Sequence, residues 1–180
     1  LLDSYENTIS WETPSYIKQG NTKKLNNLIN EMEQGNVGAL ITYKVNPSYN
    51  LHNADQFNKA LRKVDLTIST SLYNDETASL MYYACPDSHN LESWGDLNPS
   101  HNVYTLMQPT IAPLFNTRQF EETLLRWIDK EDYHSYLSSF WKQKGVNWNQ
   151  AVHDGFFTLS DLTSEARPIT ALDLNILSFE

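Results

Sequence analysis

The sequence predicts an α/β fold: three layers, with a parallel sheet between helices on both faces, followed by a helical C-terminal extension. Three observations predict it. Short apolar runs near 38–44, 66–70 and 82–85 have the length of buried strands. Between them lie amphipathic stretches with helix caps and stops. The connections are short, and the order helix, strand, helix, strand, helix suits right-handed βαβ units.

Taken in order, Thr22 is positioned to cap a helix with Leu25, Leu28, Ile29 and Met32 at helical spacing, stopped by Gly35. "GALITY" (38–43) then reads as a strand buried on both faces, broken by Asn46-Pro47. Asn53 heads a second helix with Ala54, Phe57, Ala60, Leu61 and Val64 on one side, and "LTIST" (66–70) is the next strand. Asn74 is expected to cap a helix around "DETASLMYY", and "YACPD" to give a third short strand ended by Pro86. Residues 97–115 carry three prolines and little periodicity, so a long ordered loop is expected there. Asn116 or Thr117 should cap a helix with Phe120, Leu124, Trp127 and Ile128. A second helix carries Tyr133, Tyr136, Leu137, Phe140 and Trp141 up to Gly145, and Asn147 should cap a short turn through Val152. Leu172, Leu174 and Ile176 alternate with polar residues, as in a half-exposed strand. These patterns divide the chain into an α/β unit over 1–130 and an extension over 131–180. The opening LLDSYENTI lacks an initiator Met and the closing ALDLNILSFE ends in mid-strand pattern, so a piece of a longer protein is expected.

Composition excludes several classes. With 22 acidic against 13 basic residues the net charge is -9, which disfavours nucleic acid and anionic membrane surfaces as partners. The single cysteine, Cys85, permits no disulfide within the chain and no iron–sulphur cluster or thiolate zinc site made from this chain alone. No apolar run reaches the roughly 18 residues that a membrane span requires, so no direct membrane insertion is expected.

The chemistry-bearing residues concentrate in "NDETASLMYYACPDSHNLESWGD" (74–96). Asp75 and Glu76 suit a first helical turn, where carboxylates complement the helix dipole. Asp87, His89, Glu92 and Asp96 lie close enough in sequence for a metal site to be conceivable, but loop residues at loose spacing do not define a ligand set. Glu92, Asp96 and His101 are acid–base candidates, with capping and loop hydrogen bonding as the plain reading. Cys85 reads as a small buried hydrophobe, His134 and His153 as satisfied structural residues, and Trp127, Trp141 and Tyr136 as core. No glycine-rich phosphate loop or nucleophile elbow is present.

Beyond these local signals, "YKVNPSYN…FNKALRKVDLTISTSLYNDETA…CPDSHNLESWGD…MQPTIAPLFNTRQFEETLLRW" resembles the molybdopterin oxidoreductase family, in its third domain. Within it the chain looks similar to the molybdopterin-oxidoreductase-like iron–sulphur subunit of bacterial alternative complex III, also described as a Tat-variant-translocated molybdopterin oxidoreductase. The match runs from about Leu25 to Trp127, and "WNQAVHDG" and "NILSFE" also fit. The resemblance implies a Rossmann-like sheet whose carboxyl-end loops hold part of a molybdopterin guanine dinucleotide, in line with where open α/β sheets bind ligands. Carried over, the cofactor-binding positions are Asn46 and Pro47 after the first strand, Ser71 and Glu76-Thr77-Ala78 after the second, and the loop from Pro86 to Asp96, including Glu92, after the third.

The chain departs from cofactor-bearing relatives at two places. Ser71 stands where many carry an acid five residues before the Glu of "ETA", and Tyr82 where they have the Asp of an "AD-V-V-L-P" run. The resemblance therefore implies a degenerate site, with no catalytic residue, no metal and no cofactor in this piece, and with iron–sulphur clusters in segments outside it. Its implied partners are the remaining domains of the same polypeptide and other subunits of a membrane-bound, quinol-oxidising respiratory complex, at the periplasmic face of the bacterial inner membrane. A working molybdenum oxidoreductase, using these loops for the guanine dinucleotide, is the alternative. An independent nucleotide- or sugar-binding module is a third.

Overall fold

The computed structural model describes residues 8–9, 14–130 and 132–159. Helix α1 (Thr22–Glu33) takes in Thr22, the cap expected from sequence, as its first residue, and its cap lies one residue earlier, at Asn21. Asn21, with extended backbone, accepts the Lys24 amide at 3.0 Å. It stops at Gly35, whose φ of 74° is the left-handed conformation that favours glycine. Strand β1 (Ala39–Thr42) runs into the one-turn helix α2 (Pro47–Asn50), with Pro47 at the helix start, where its missing N–H costs nothing. Helix α3 (Ala54–Leu61) follows, then strand β2 (Leu66–Ser69) and the two-residue strand β3 (Tyr83–Ala84).

These three strands form a parallel sheet in the order β1-β2-β3, with Ile41 beside Ile68 and Ile68 beside Tyr83. The predicted α/β class and its three parallel strands are therefore present. One face of the sheet is sealed by α1 and α3. Ile29, Met32, Phe57, Ala60, Leu61 and Val64 form a core there, against which Leu40 packs. Ile29 and Met32 are fully buried, each contributing about 1.5–3 kcal/mol of transfer free energy.

The opposite face corrects the expectation of strands buried on both sides. Ile41 is 38% exposed and Cys85 is exposed, so Cys85 is no buried hydrophobe. Period-2 geometry explains the split: Leu40, Thr42, Thr67 and Ser69 point to the helices, while Ile41 and Ile68 point away.

Two further expectations fail. The segment headed by Asn74 makes only a 3-10 turn, Ala78–Leu80, because Ser71 and Asp75 spend their side chains on local bonds that compete with a helix. Residues 97–115 are no structureless loop. Strand β4 (Gly95–Ser100) and strand β5 (Val103–Met107) pair antiparallel around His101-Asn102, with Asn102 in the left-handed region (φ 58°). Pro99 lies where the register shifts, and the Asn98 amide closes the irregularity by donating to the carbonyls of Ser100 and Val103.

Helix α4 (Phe120–Trp127) begins later than the expected caps, and its first amide is taken by Asp87 from across the fold. Helix α5 (Tyr133–Gln143) is capped by Asp132, which the sequence reading did not name, and α6 (Trp148–Asp154) by Asn147, as expected. Strand β6 (Phe156–Thr158) then joins β5 antiparallel, completing a second sheet in the order β4-β5-β6. A second core sits on it: Leu137, Trp141 and Trp148, with Trp94, Tyr104 and Phe157 against them. Tyr104 stacks on Phe157 at 5.5 Å and Trp141 meets Phe157 edge-on at 4.8 Å. Much of the aromatic content is thus structural, although Trp127 (58% exposed) and Tyr136 (42% exposed) lie outside the core predicted for them. The expected strand around 172–176 lies outside the described residues. Among the described residues no helix is long and apolar enough to cross a membrane.

Candidate functional site

Parallel topology places the loops after β1 and β2 on the same sheet edge, and there five of the seven candidate residues meet. Lys44, two residues past the end of β1, adopts a left-handed backbone (φ 52°), turning the chain into Asn46-Pro47. Asn46 Oδ1 accepts from both the backbone N–H (3.2 Å) and the hydroxyl (2.7 Å) of Thr77, while its amide nitrogen donates to Glu76 at 2.7 Å. Thr77, completely buried, receives the Ser48 amide on its hydroxyl oxygen at 3.0 Å. Ser71 donates to Asp75 at 2.6 Å, and the other oxygen of Asp75 accepts the Ala78 amide. The hydrogen bond from Asn46 holds the exposed Glu76 carboxyl below the usual range.

Glu92 and Asp96 do not join this group. They lie in the stretch leaving β3 and serve other contacts. A 3-10 turn (Asn90–Glu92) is closed by a reciprocal cap: the His89 ring nitrogen accepts the Leu91 amide, and Glu92 accepts the His89 amide. The second oxygen of Glu92 accepts the Leu114 amide at 3.1 Å, tying the 110–115 segment to the turn. These backbone bonds lower its pKa. Asp96, on β4, accepts the Trp141 indole N–H at 2.9 Å, yet burial pushes its carboxyl above the ordinary range.

Asp96 faces a cavity of about 250 Å³ that sequence reasoning did not assemble. Its walls include Tyr43, Asp87, Trp94, Glu121 and Tyr133. Tyr43 donates to Glu121 at 2.8 Å and stacks on Phe120. Asp87, 2% exposed, accepts the amides of Ser88 and Phe120 and lies 3.7 Å from Lys44 Nζ. Burial raises Asp87, burial with the Glu121 carboxylate raises Tyr43, and burial with the Asp96 and Glu121 carboxylates raises Tyr133. An acid directly after a strand-ending proline was the available signal, but its partners Lys44 and Phe120 lie 43 residues earlier and 33 later. Among the described residues no three His, Cys, Asp or Glu side chains are placed to hold a metal ion.

The carboxyl-edge group does not fit an anionic dinucleotide. The polar atoms of Asn46 and Thr77 are committed to each other and to Glu76 and Ser48. Two carboxylates, Asp75 and Glu76, belong to this group and would repel a pyrophosphate brought beside it, and none of the seven candidate residues is cationic. Ser71, where the resemblance expects an acid, donates instead to the neighbouring carboxylate of Asp75. Tyr82, at the second departure, is 75% exposed.

No family model matches the chain. Over 91 residues, 48% of its length, it is 32% identical to the molybdopterin-binding-like subunit of menaquinone reductase from Nitratidesulfovibrio vulgaris, of which the match covers 13%. Its structure is similar to that of the acetylene hydratase from Pelobacter acetylenicus, with a TM-score of 0.62 over 73% of this chain and 20% of that one, at 17% identity. The relative supports the molybdopterin-oxidoreductase-like resemblance read from the sequence, and the structural neighbour supports the α/β fold. The chain thus spans a small fraction of both proteins.

Proposed function

We propose that this chain is an α/β domain of a respiratory electron-transfer subunit of the alternative complex III kind, quinol-oxidising, in which an inherited dinucleotide site survives as scaffold and no longer holds the cofactor. The observation that carries this reading is the closure of the Asn46–Glu76–Thr77 group on itself, thirty-one residues apart across the sheet edge. Groups that once faced a ligand now knit two loops together. The relative's name supports a quinone-linked setting and calls the subunit molybdopterin-binding-like, while a menaquinone reductase forms the quinol, so the quinol-oxidising direction proposed here rests on the sequence resemblance and not on that name. On this reading the iron–sulphur clusters belong to other parts of the polypeptide, and the partners are its further domains and the neighbouring subunits at the periplasmic face of the membrane.

The other reading, a domain of a working molybdenum oxidoreductase, draws on the gathering of Asn46, Pro47, Ser71, Glu76 and Thr77 at the carboxyl edge, where open α/β sheets bind ligands. Site location does not establish chemistry. Molybdenum analysis and pterin fluorescence on the purified full-length protein separate the two. Our reading expects neither signal at stoichiometric level, and one molybdenum with its pterin per chain would give the enzyme reading the lead.

A further inference from the structure

A second cleft, of about 610 Å³, opens between the outward face of the parallel sheet and α4. That volume lies in the range of small-molecule sites. Ile41 and Ile68, side by side in register, form part of one wall, and Phe120 and Trp127 of α4 form part of the other. Trp127 and Ile41 are 58% and 38% exposed, so this apolar surface is left uncovered by the chain's own core.

The charge on the cleft runs against the composition of the chain. Acids outnumber bases 22 to 13 overall, yet no lining residue of this cleft is acidic, and two of the four arginines in the sequence, Arg118 and Arg126, line it. The 250 Å³ cavity, by contrast, carries Asp87, Asp96 and Glu121. Arg118 makes no ion pair among the described residues. Arg126 meets Glu122 at 3.4 Å in an exposed i,i+4 pair, a weak contact that a better-placed anion can replace. Guanidinium forks match carboxylate and phosphate oxygens two at a time.

We propose that this cleft binds an amphiphilic organic anion, its apolar body against Ile41, Ile68 and Trp127 and its carboxylate or phosphate head on Arg118 and Arg126. The inference does not rest on the Asn46–Glu76–Thr77 group, because none of Asn46, Ser71, Glu76 and Thr77 lines the cleft, which reaches the carboxyl ends of β2 and β3 only at Thr70, Cys85 and Pro86.

Titration calorimetry on the full-length protein tests it with four probes: octyl phosphate, octanoate, octanol and inorganic phosphate. At least one of the two amphiphilic anions should bind one per chain at tens of micromolar, and which of them binds tighter identifies the head group. Octanol and inorganic phosphate should each bind at least about tenfold more weakly, since each lacks half of the recognition. Arg118→Gln and Arg126→Gln, both at exposed positions, should each weaken the anion about fivefold or more with an unchanged circular dichroism spectrum. Trp127→Ser should weaken it similarly while leaving inorganic phosphate unaffected. Absence of binding, equal affinity for octanol and octyl phosphate, or indifference to both arginine substitutions would each overturn the assignment.

Discussion

Asn46 and Thr77 hold each other across the carboxyl edge of the parallel sheet: one side-chain oxygen of Asn46 takes both the amide and the hydroxyl of a threonine that solvent does not reach. This pair joins the loop after β1 to the loop after β2. Asn46→Ala should therefore leave the buried Thr77 groups without their acceptor and cost about 1–3 kcal/mol of stability. Asn46→Asp keeps the acceptor but sets a second carboxylate beside Glu76, so its loss should grow as pH rises from about 3 to 7. Urea denaturation of the two variants at both pH values checks this, and an unchanged midpoint for Asn46→Ala would contradict the clamp.

Asp87 supplies from thirty-three residues away the hydrogen bond that a local cap would normally give to α4. Asp87→Ala removes the acceptor of two backbone amides and the partner of Lys44. A loss of about 2–4 kcal/mol is expected, in the range for a buried, charge-assisted contact. Amide hydrogen exchange should quicken first at Ser88 and Phe120, and protection retained at both would show that the helix start does not depend on Asp87.

Asp96 gives a pH dependence of definite sign. Its folded-state pKa is raised by burial, so between the ordinary carboxylate range near about 4 and that raised value the folded chain holds more protons than the unfolded one. Stability from this group is fully present below that window and declines as pH rises through it. Asp96→Asn keeps an acceptor for Trp141 without the charge. At pH 7 it should match or exceed the parent in melting temperature and flatten the decline, whereas Asp96→Ala should fall below the parent. A melting temperature for Asp96→Asn below that of Asp96→Ala would refute the account.

Glu92 acts as a staple between the 3-10 turn and the 110–115 segment. Glu92→Ala should speed exchange of the His89 and Leu114 amides together, and Glu92→Gln, which keeps an acceptor, should have the smaller effect. Independent responses at the two amides would argue against a shared anchor.

The strands at 38–44, 66–70 and 82–85 were legible because buried apolar runs and capped helices are local signals, and the short connections left few topologies. The β4–β5 hairpin was not. Pro99 and a polar β4 hide the alternation, and the Asn98 side-chain bonds that repair the register appear only once the fold has formed. The helix expected after Asn74 failed for a related reason, since Ser71, Asp75 and Asn46 draw the segment into side-chain bonds that composition does not foretell. The site was half legible. Topology brought Asn46, Ser71, Glu76 and Thr77 to one edge, as parallel strands require, but whether their polar atoms face a ligand or each other is a matter of ångströms. The cavity of Tyr43, Asp87, Asp96 and Glu121 joins segments with no shared motif.

The central claim, that the carboxyl edge is closed to a guanine dinucleotide, is tested most directly by calorimetric titration of the protein with guanosine diphosphate. The closed Asn46–Glu76–Thr77 group predicts no binding at that edge tighter than roughly millimolar, about -4 kcal/mol. Micromolar binding that Asn46→Ala abolishes and Arg118→Gln leaves intact would show that the edge still holds its nucleotide, and would contradict the account.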